Sequence, residues 1–111
     1  MGGAIGAVLR YLIGLLPLNP QNGFPLKTFC INVIGAFIIG LVAALSARAG
    51  LNPRFTLFLK VGICGGFTTF SSFALETETL LGKGNQTIAL LYVLSSLVCG
   101  VLAVAAAESL V

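Results

Sequence analysis

The chain has 111 residues, 58% of them hydrophobic and only 8% charged, with a mean hydropathy of +1.09. A soluble domain carries roughly 25% charged residues, so no water-soluble fold would hide this much apolar surface, and the length fits one domain whose apolar environment is mostly lipid. The net charge of +3 is spread over scattered lysines and arginines, with no basic run to follow a phosphate backbone, so nucleic acid is not an expected partner. Enzymatic chemistry is not expected either.

A helix needs about 20 mainly apolar residues to cross roughly 30 Å of hydrocarbon. The first such stretch is 2–18, short and interrupted by Arg10, and no charged n-region precedes it, so it reads as part of the mature chain rather than as a cleaved signal. LNPQNGFP at 18–25 follows as a turn rich in proline, asparagine and glycine. The second stretch, 28–47, has no charge at all and closes before Asn52 and Pro53, where an Asn-Pro pair disfavours helix. Within it Thr28 and Asn32 share a face. Asn32 has two readings, an interhelical hydrogen bond or the wall of a polar path.

The third stretch, 55–81, is too irregular for one simple helix. GICGGFTTFSS at 62–72 sets three glycines beside four hydroxyl residues. Glycine costs about 1 kcal/mol in a helix interior and hydroxyls compete for backbone partners, so two half-helices joined near 65–69 are expected. A break inside a membrane bares carbonyls at one end and amides at the other, and is tolerated only against protein or a cavity. Ions are natural ligands of such a break. Carbonyls near Gly65 and Thr68 suit a hard cation, while Ser71, Ser72 and neighbouring amides suit an anion. Phe70 and Phe73 lie beside it, and their positive ring edges would face a partly dehydrated anion; ordinary packing is the alternative.

Gly82 to Asn85 make the next turn, and 87–107 is the fourth span. It carries Tyr92, Ser95, Ser96 and Cys99 as a narrow polar stripe, open to packing or to pathway roles. Small residues four apart (Gly2 and Gly6, Ala36 and Gly40, Gly62 and Gly66) read as helix-packing positions. The three cysteines sit in apolar stretches without histidine or a CxxC pair, so they read as small buried hydrophobes. The fold class is therefore all-α, a four-transmembrane-helix protein with a broken third helix.

Loop cations set orientation in the membrane. Arg48 and Arg54 lie on one side and Lys27 and Lys83 on the other, a tie that only Lys60 would tilt. A chain without orienting bias inserts both ways, which permits an antiparallel, dual-topology dimer.

GGAIGAVLRY at 2–11, FCINVIGAFIIG at 29–40 and GGFTTFSSFALE at 65–76 resemble the CrcB/Fluc fluoride channels, and with the four spans the resemblance covers nearly the whole chain. It implies a passive, fluoride-selective export channel in the cytoplasmic inner membrane, an antiparallel homodimer with two pores. By that resemblance Asn32 lines the pore, Phe70 and Phe73 face the ion path, Ser71 and Ser72 supply hydroxyls, with serine where the family more often has threonine at the second, and Tyr92 joins them. Arg10, Thr69 and Glu76 become pore-adjacent. A structural sodium ion at the dimer interface is implied on the carbonyls of Gly65 and Thr68. Two rivals are a small proton-coupled multidrug exporter, which needs an embedded carboxylate where the first span instead has Arg10, and one subunit of a heteromeric channel pair.

Overall fold

The computed structural model describes residues 1–111, and every regular element in it is helical. Helix α1 spans Gly2–Gly14, about 20 Å at 1.5 Å per residue. It stops four residues before the expected end at 18. Pro17 is the physical reason: it has no N–H to give the Ile13 carbonyl, and it disfavours helix in the residue before it. The chain tightens instead, with the Leu15 and Leu16 amides donating to Leu12 and Ile13 at 3.2 and 3.0 Å. The Lys27 ammonium reaches back to the Gly14 carbonyl at 2.9 Å, a cation on a helix C-terminus.

Helix α2 spans Leu26–Ala49, starting directly after Pro25 and running slightly beyond the predicted 28–47 at each end. Gly50 ends it in the left-handed region, φ +65°, with its N–H on the Ser46 carbonyl at 3.2 Å, the geometry glycine adopts without strain. Its buried positions include Thr28, Ile31, Gly35 and Val42, a helical stripe turned toward the other elements.

Asn52 caps the next segment by accepting the Arg54 N–H at 2.8 Å, and Pro53 occupies the first helical position. From there α3 (Pro53–Leu57) widens into a π-helical segment, Phe58–Cys64, and tightens again into the short α4, Gly65–Phe67. Thr68 (φ −79°, ψ 157°) and Thr69 (φ −148°, ψ 117°) are extended. Helix α5, Phe70–Gly82, resumes with the Thr69 hydroxyl accepting the Ser72 N–H at 3.1 Å as its N-cap. After a turn in which Gly84 has φ +81°, α6 runs Gln86–Leu110.

The interruption thus falls at 68–69, and Gly65 and Gly66 are helical. Their neighbours explain this. A Cβ on Gly66 would run into the Gly3 carbonyl, one on Gly6 would meet the Ile63 carbonyl and lie 2.6 Å from the Phe67 nitrogen, and one on Gly2 would lie 2.9 Å from the Gly62 Cα. These glycines let α1 press its backbone against the π-helical segment and α4. A second close approach joins α2 to α6, where a Cβ on Gly40 would sit 2.9 Å from the Val104 carbonyl.

Only 14 of the 111 residues are buried, and the outward surface is apolar: Leu90, Leu94, Val98 and Val101 of α6 are all exposed. Three segments, Leu26–Ala49, Pro53–Gly82 and Gln86–Leu110, are long and apolar enough to cross a membrane, and α1 is a shorter apolar helix beside them. This is a multi-pass membrane protein.

Candidate functional site

The site is built around the extended link. Leaving helical geometry at Thr68 frees main-chain groups that α4 and α5 would otherwise pair, and their partners come from other elements. Asn32 of α2 holds both polar groups of Thr69: its Oδ1 accepts the Thr69 N–H at 2.8 Å, and its Nδ2 donates to the Thr69 carbonyl at 3.2 Å. The amide that would close a helical turn onto Gly65 therefore points at α2. The Thr68 hydroxyl and N–H both donate to the Cys64 carbonyl, at 2.9 and 3.0 Å. Arg10 of α1 donates from Nε to the Gly66 carbonyl at 3.3 Å. Gly35 is needed here, because a Cβ at that position would collide with the Thr68 methyl.

A groove of about 360 Å³ opens beside the link, lined by Asn32, Thr68, Thr69, Phe70, Phe73 and Ser96 together with Gly65 and apolar residues of α2. The Ser96 hydroxyl is buried with no hydrogen-bond partner. Such a group is costly unless something in the groove accepts or donates to it. Phe70 is 79% exposed on the open side, while Phe73 is half-buried; their ring centroids are 5.9 Å apart at 46°.

Behind Phe73 lies Tyr92 of α6, fully buried at 0% exposure, with ring centroids 5.0 Å apart. Its hydroxyl donates to Glu76 Oε1 at 3.1 Å, and the Thr28 hydroxyl donates to Glu76 Oε2 at 3.0 Å. Three helices thereby meet on one carboxylate.

Of the residues singled out in the sequence, Asn32, Gly65, Thr68, Thr69, Phe70 and Phe73 come together on this groove. Ser71 and Ser72 sit on the first turn of α5, the former with its hydroxyl 3.3 Å from that of Thr69 and the latter through its amide on the same cap. Tyr92 stands one layer back, and Arg10 and Glu76, which do not line the groove, are held by the bonds just described. Within the stripe of α6 the serines separate: Ser95 bonds back to the Leu91 and Tyr92 carbonyls of its own helix, whereas Ser96 faces the groove. Sequence reasoning misses two features: the Thr28 bond to Glu76, whose available signal is the face Thr28 shares with Asn32, and the widened segment at 58–64, which nothing in the local sequence marks.

The profile of the CrcB-like protein, Camphor Resistance (CrcB) family matches residues 1–107. A relative from Novosphingobium aromaticivorans, named as the fluoride-specific ion channel FluC, is 46% identical over 104 residues, covering 91% of this chain and 82% of its own. Another of that name, from Helicobacter acinonychis, is 43% identical over 108 residues, 95% of this chain and 85% of its own. A third, from Thermus thermophilus, is 46% identical over 101 residues, 90% and 81% respectively. Identity at this level across nearly the whole length leaves no unmatched region for a different architecture, and the chain belongs to the CrcB family.

Proposed function

We propose that the chain is a fluoride-selective channel that lets the ion leave the cell passively across the cytoplasmic membrane and so lowers cytoplasmic fluoride. The observation that carries this reading is the extended link at Thr68–Thr69, held by Asn32 and opening on a groove with an unpartnered hydroxyl. The relatives named as fluoride-specific ion channels supply the ion.

Fluoride is small, hard and strongly hydrated, so a path for it must replace water with donors while avoiding a fixed charge that would trap it. Conduction demands binding that is favourable yet weak. In this reading the second Nδ2 hydrogen of Asn32, the hydroxyls of Ser71, Ser72 and Ser96 and the ring edges of Phe70 and Phe73 are the donors, with Tyr92 supporting Phe73. Thr69 shapes the link, and Arg10 and Glu76 set the rim electrostatics. The groove is lined by no lysine or arginine side chain, so no charged side chain holds the ion too tightly to leave.

The working unit in this reading is an antiparallel homodimer in which each chain, one transmembrane domain of 111 residues, crosses four times, α1 being the shortest crossing. The tied loop charges and the exposure of Phe70 on the groove's open side support a wall completed by a second copy. A structural sodium ion would sit between the copies on the Gly65 and Thr68 carbonyls. Their neutral oxygens suit a hard cation, and the exposed position of Gly65 at the start of α4, where the Thr69 amide that a continuous helix would give its carbonyl goes to Asn32 instead, fits that role. Sodium would contribute a fixed positive charge that ties the two breaks together.

The test is anion efflux from proteoliposomes holding the purified chain. Fluoride is expected to leave rapidly with chloride retained and no proton gradient required; equal fluoride and chloride flux, or flux that stops when a protonophore collapses the gradient, would overturn the reading.

A further inference from the structure

The loop between α1 and α2 is held more firmly than a connector requires. The Asn19 side chain accepts the Lys27 N–H at 2.9 Å, the Asn22 side chain accepts the Phe24 N–H at 2.9 Å, and the Leu26 N–H donates to the Phe24 carbonyl at 2.8 Å. Gly23 takes φ +91°, and Pro25 is buried with its φ at −76°. The loop lies against the turn between α5 and α6, since a Cβ on Gly23 would be 3.5 Å from Leu80 Cδ2 and 3.8 Å from Asn85 Nδ2. All of these restraints fix one large side chain, Phe24.

The Phe24 ring meets the Tyr92 ring edge-on, centroids 5.5 Å apart at 79°, and is itself held by Phe29 at 5.7 Å and 69°. Edge-to-face contact is the orientation the ring quadrupoles favour. Tyr92 in turn touches Phe73 at 5.0 Å, and Phe73 touches Phe70 at 5.9 Å. Four rings therefore run without a gap from a surface loop to the open side of the groove. The Tyr92 hydroxyl is also the donor to Glu76, so any tilt of that ring moves a groove wall and a carboxylate partner together.

We propose that Phe24 is a positioning residue for anion passage: it sets the tilt of Tyr92, and through Tyr92 the placement of Phe73 and of the Glu76 carboxylate. The inference rests on the conduction reading above. Phe24 touches no ion itself, and its influence on the groove passes through Tyr92.

The test uses the full chain in proteoliposomes, with F24A, F24L and F24Y each made alone and combined with Y92L, which removes the ring that Phe24 meets. Folding is checked by size exclusion and far-ultraviolet circular dichroism. Fluoride efflux is expected to fall about three- to tenfold in F24A, the range an aromatic contact of ordinary strength allows, less in F24L, and to return in F24Y, which keeps the ring. In the Y92L background, where the shared ring is gone, the loss of Phe24 is expected to change flux by less than about twofold, the non-additivity that marks action through a shared partner. The chain has two tyrosines and no tryptophan, so on a Y11F background the near-ultraviolet dichroism of Tyr92 should change in F24A and recover its asymmetry only where a ring is restored. If F24A does not purify as folded protein, F24L and F24Y carry the same comparison. Wild-type-like flux in folded F24A, or in folded F24L where F24A does not purify, or an undiminished effect in the Y92L background, overturns the inference. Wild-type protein without selective fluoride flux would instead remove the conduction reading itself.

Discussion

Replacing Asn32 by alanine removes the only side chain that holds both polar groups of Thr69. The N–H bond of 2.8 Å and the carbonyl bond of 3.2 Å are lost together, and each buried group left unpaired costs about 1–3 kcal/mol. Thr69 is half-buried and borders the groove, so water entering the groove recovers part of this, and a net loss of about 2 kcal/mol is the expectation for the pair. The consequence is larger for conduction than for assembly, because the freed Thr69 amide can turn back to the Gly65 carbonyl and re-form a helical turn across the link. N32A is therefore expected to melt in detergent at least about 5 °C below wild type and to lose most fluoride efflux, while N32D, which keeps an acceptor for the Thr69 N–H, melts between the two. Thermal aggregation followed by size exclusion gives the first number and proteoliposome efflux the second. An N32A protein with wild-type melting and wild-type flux would refute the claim that Asn32 holds the link open.

Three further outcomes follow from the geometry. G66V is expected to detach α1 from α4, since the new side chain meets the Gly3 backbone, which cannot yield; a loss of about 1–3 kcal/mol should appear in detergent melting, whereas G100A, where a Cβ meets nothing inside α6, should melt no lower than wild type. Y92F leaves Glu76 Oε1 without its donor, and a lost side-chain hydrogen bond of about 0.5–1.5 kcal/mol should lower both melting temperature and flux, with T28V acting similarly through Oε2. F70I and F73I should slow fluoride efflux while leaving assembly intact by size exclusion, F73I the more destabilising because Phe73 also packs on Tyr92; unchanged flux in both would remove the rings from the path.

What the sequence revealed depended on how local the cause was. Hydropathy alone located the long crossings, and the glycine and hydroxyl cluster at 62–72 marked the neighbourhood of the extended link because helix propensity is a local property. Its position at Thr68–Thr69 is not legible, since the Gly3 backbone of α1 presses against Gly66 in the helical segment before it, a tertiary contact that propensity does not register. The end of α1 was misjudged for a local reason that was available: Pro17 disfavours the last turn of a helix extending to 18. Asn32 was read as either glue or pore wall, and the geometry has it bonded to Thr69 while bordering the groove, so the two readings were never exclusive. The Glu76 carboxylate could not be paired from sequence, because its donors lie on two other helices, 48 residues before it at Thr28 and 16 after it at Tyr92. Ser95 and Ser96 look equivalent in the stripe, and only the packing of α6 distinguishes the back-bonded hydroxyl from the free one.

The central claim is that the interrupted crossing passes fluoride down its own gradient and little else. The reversal potential of the reconstituted channel, measured with fluoride on one side of a planar bilayer and chloride on the other, reads this without assuming a mechanism. The account predicts a voltage governed by fluoride concentration alone and unmoved when pH differs between the two sides. A reversal near zero under those ions, or one that follows the proton gradient, would contradict it.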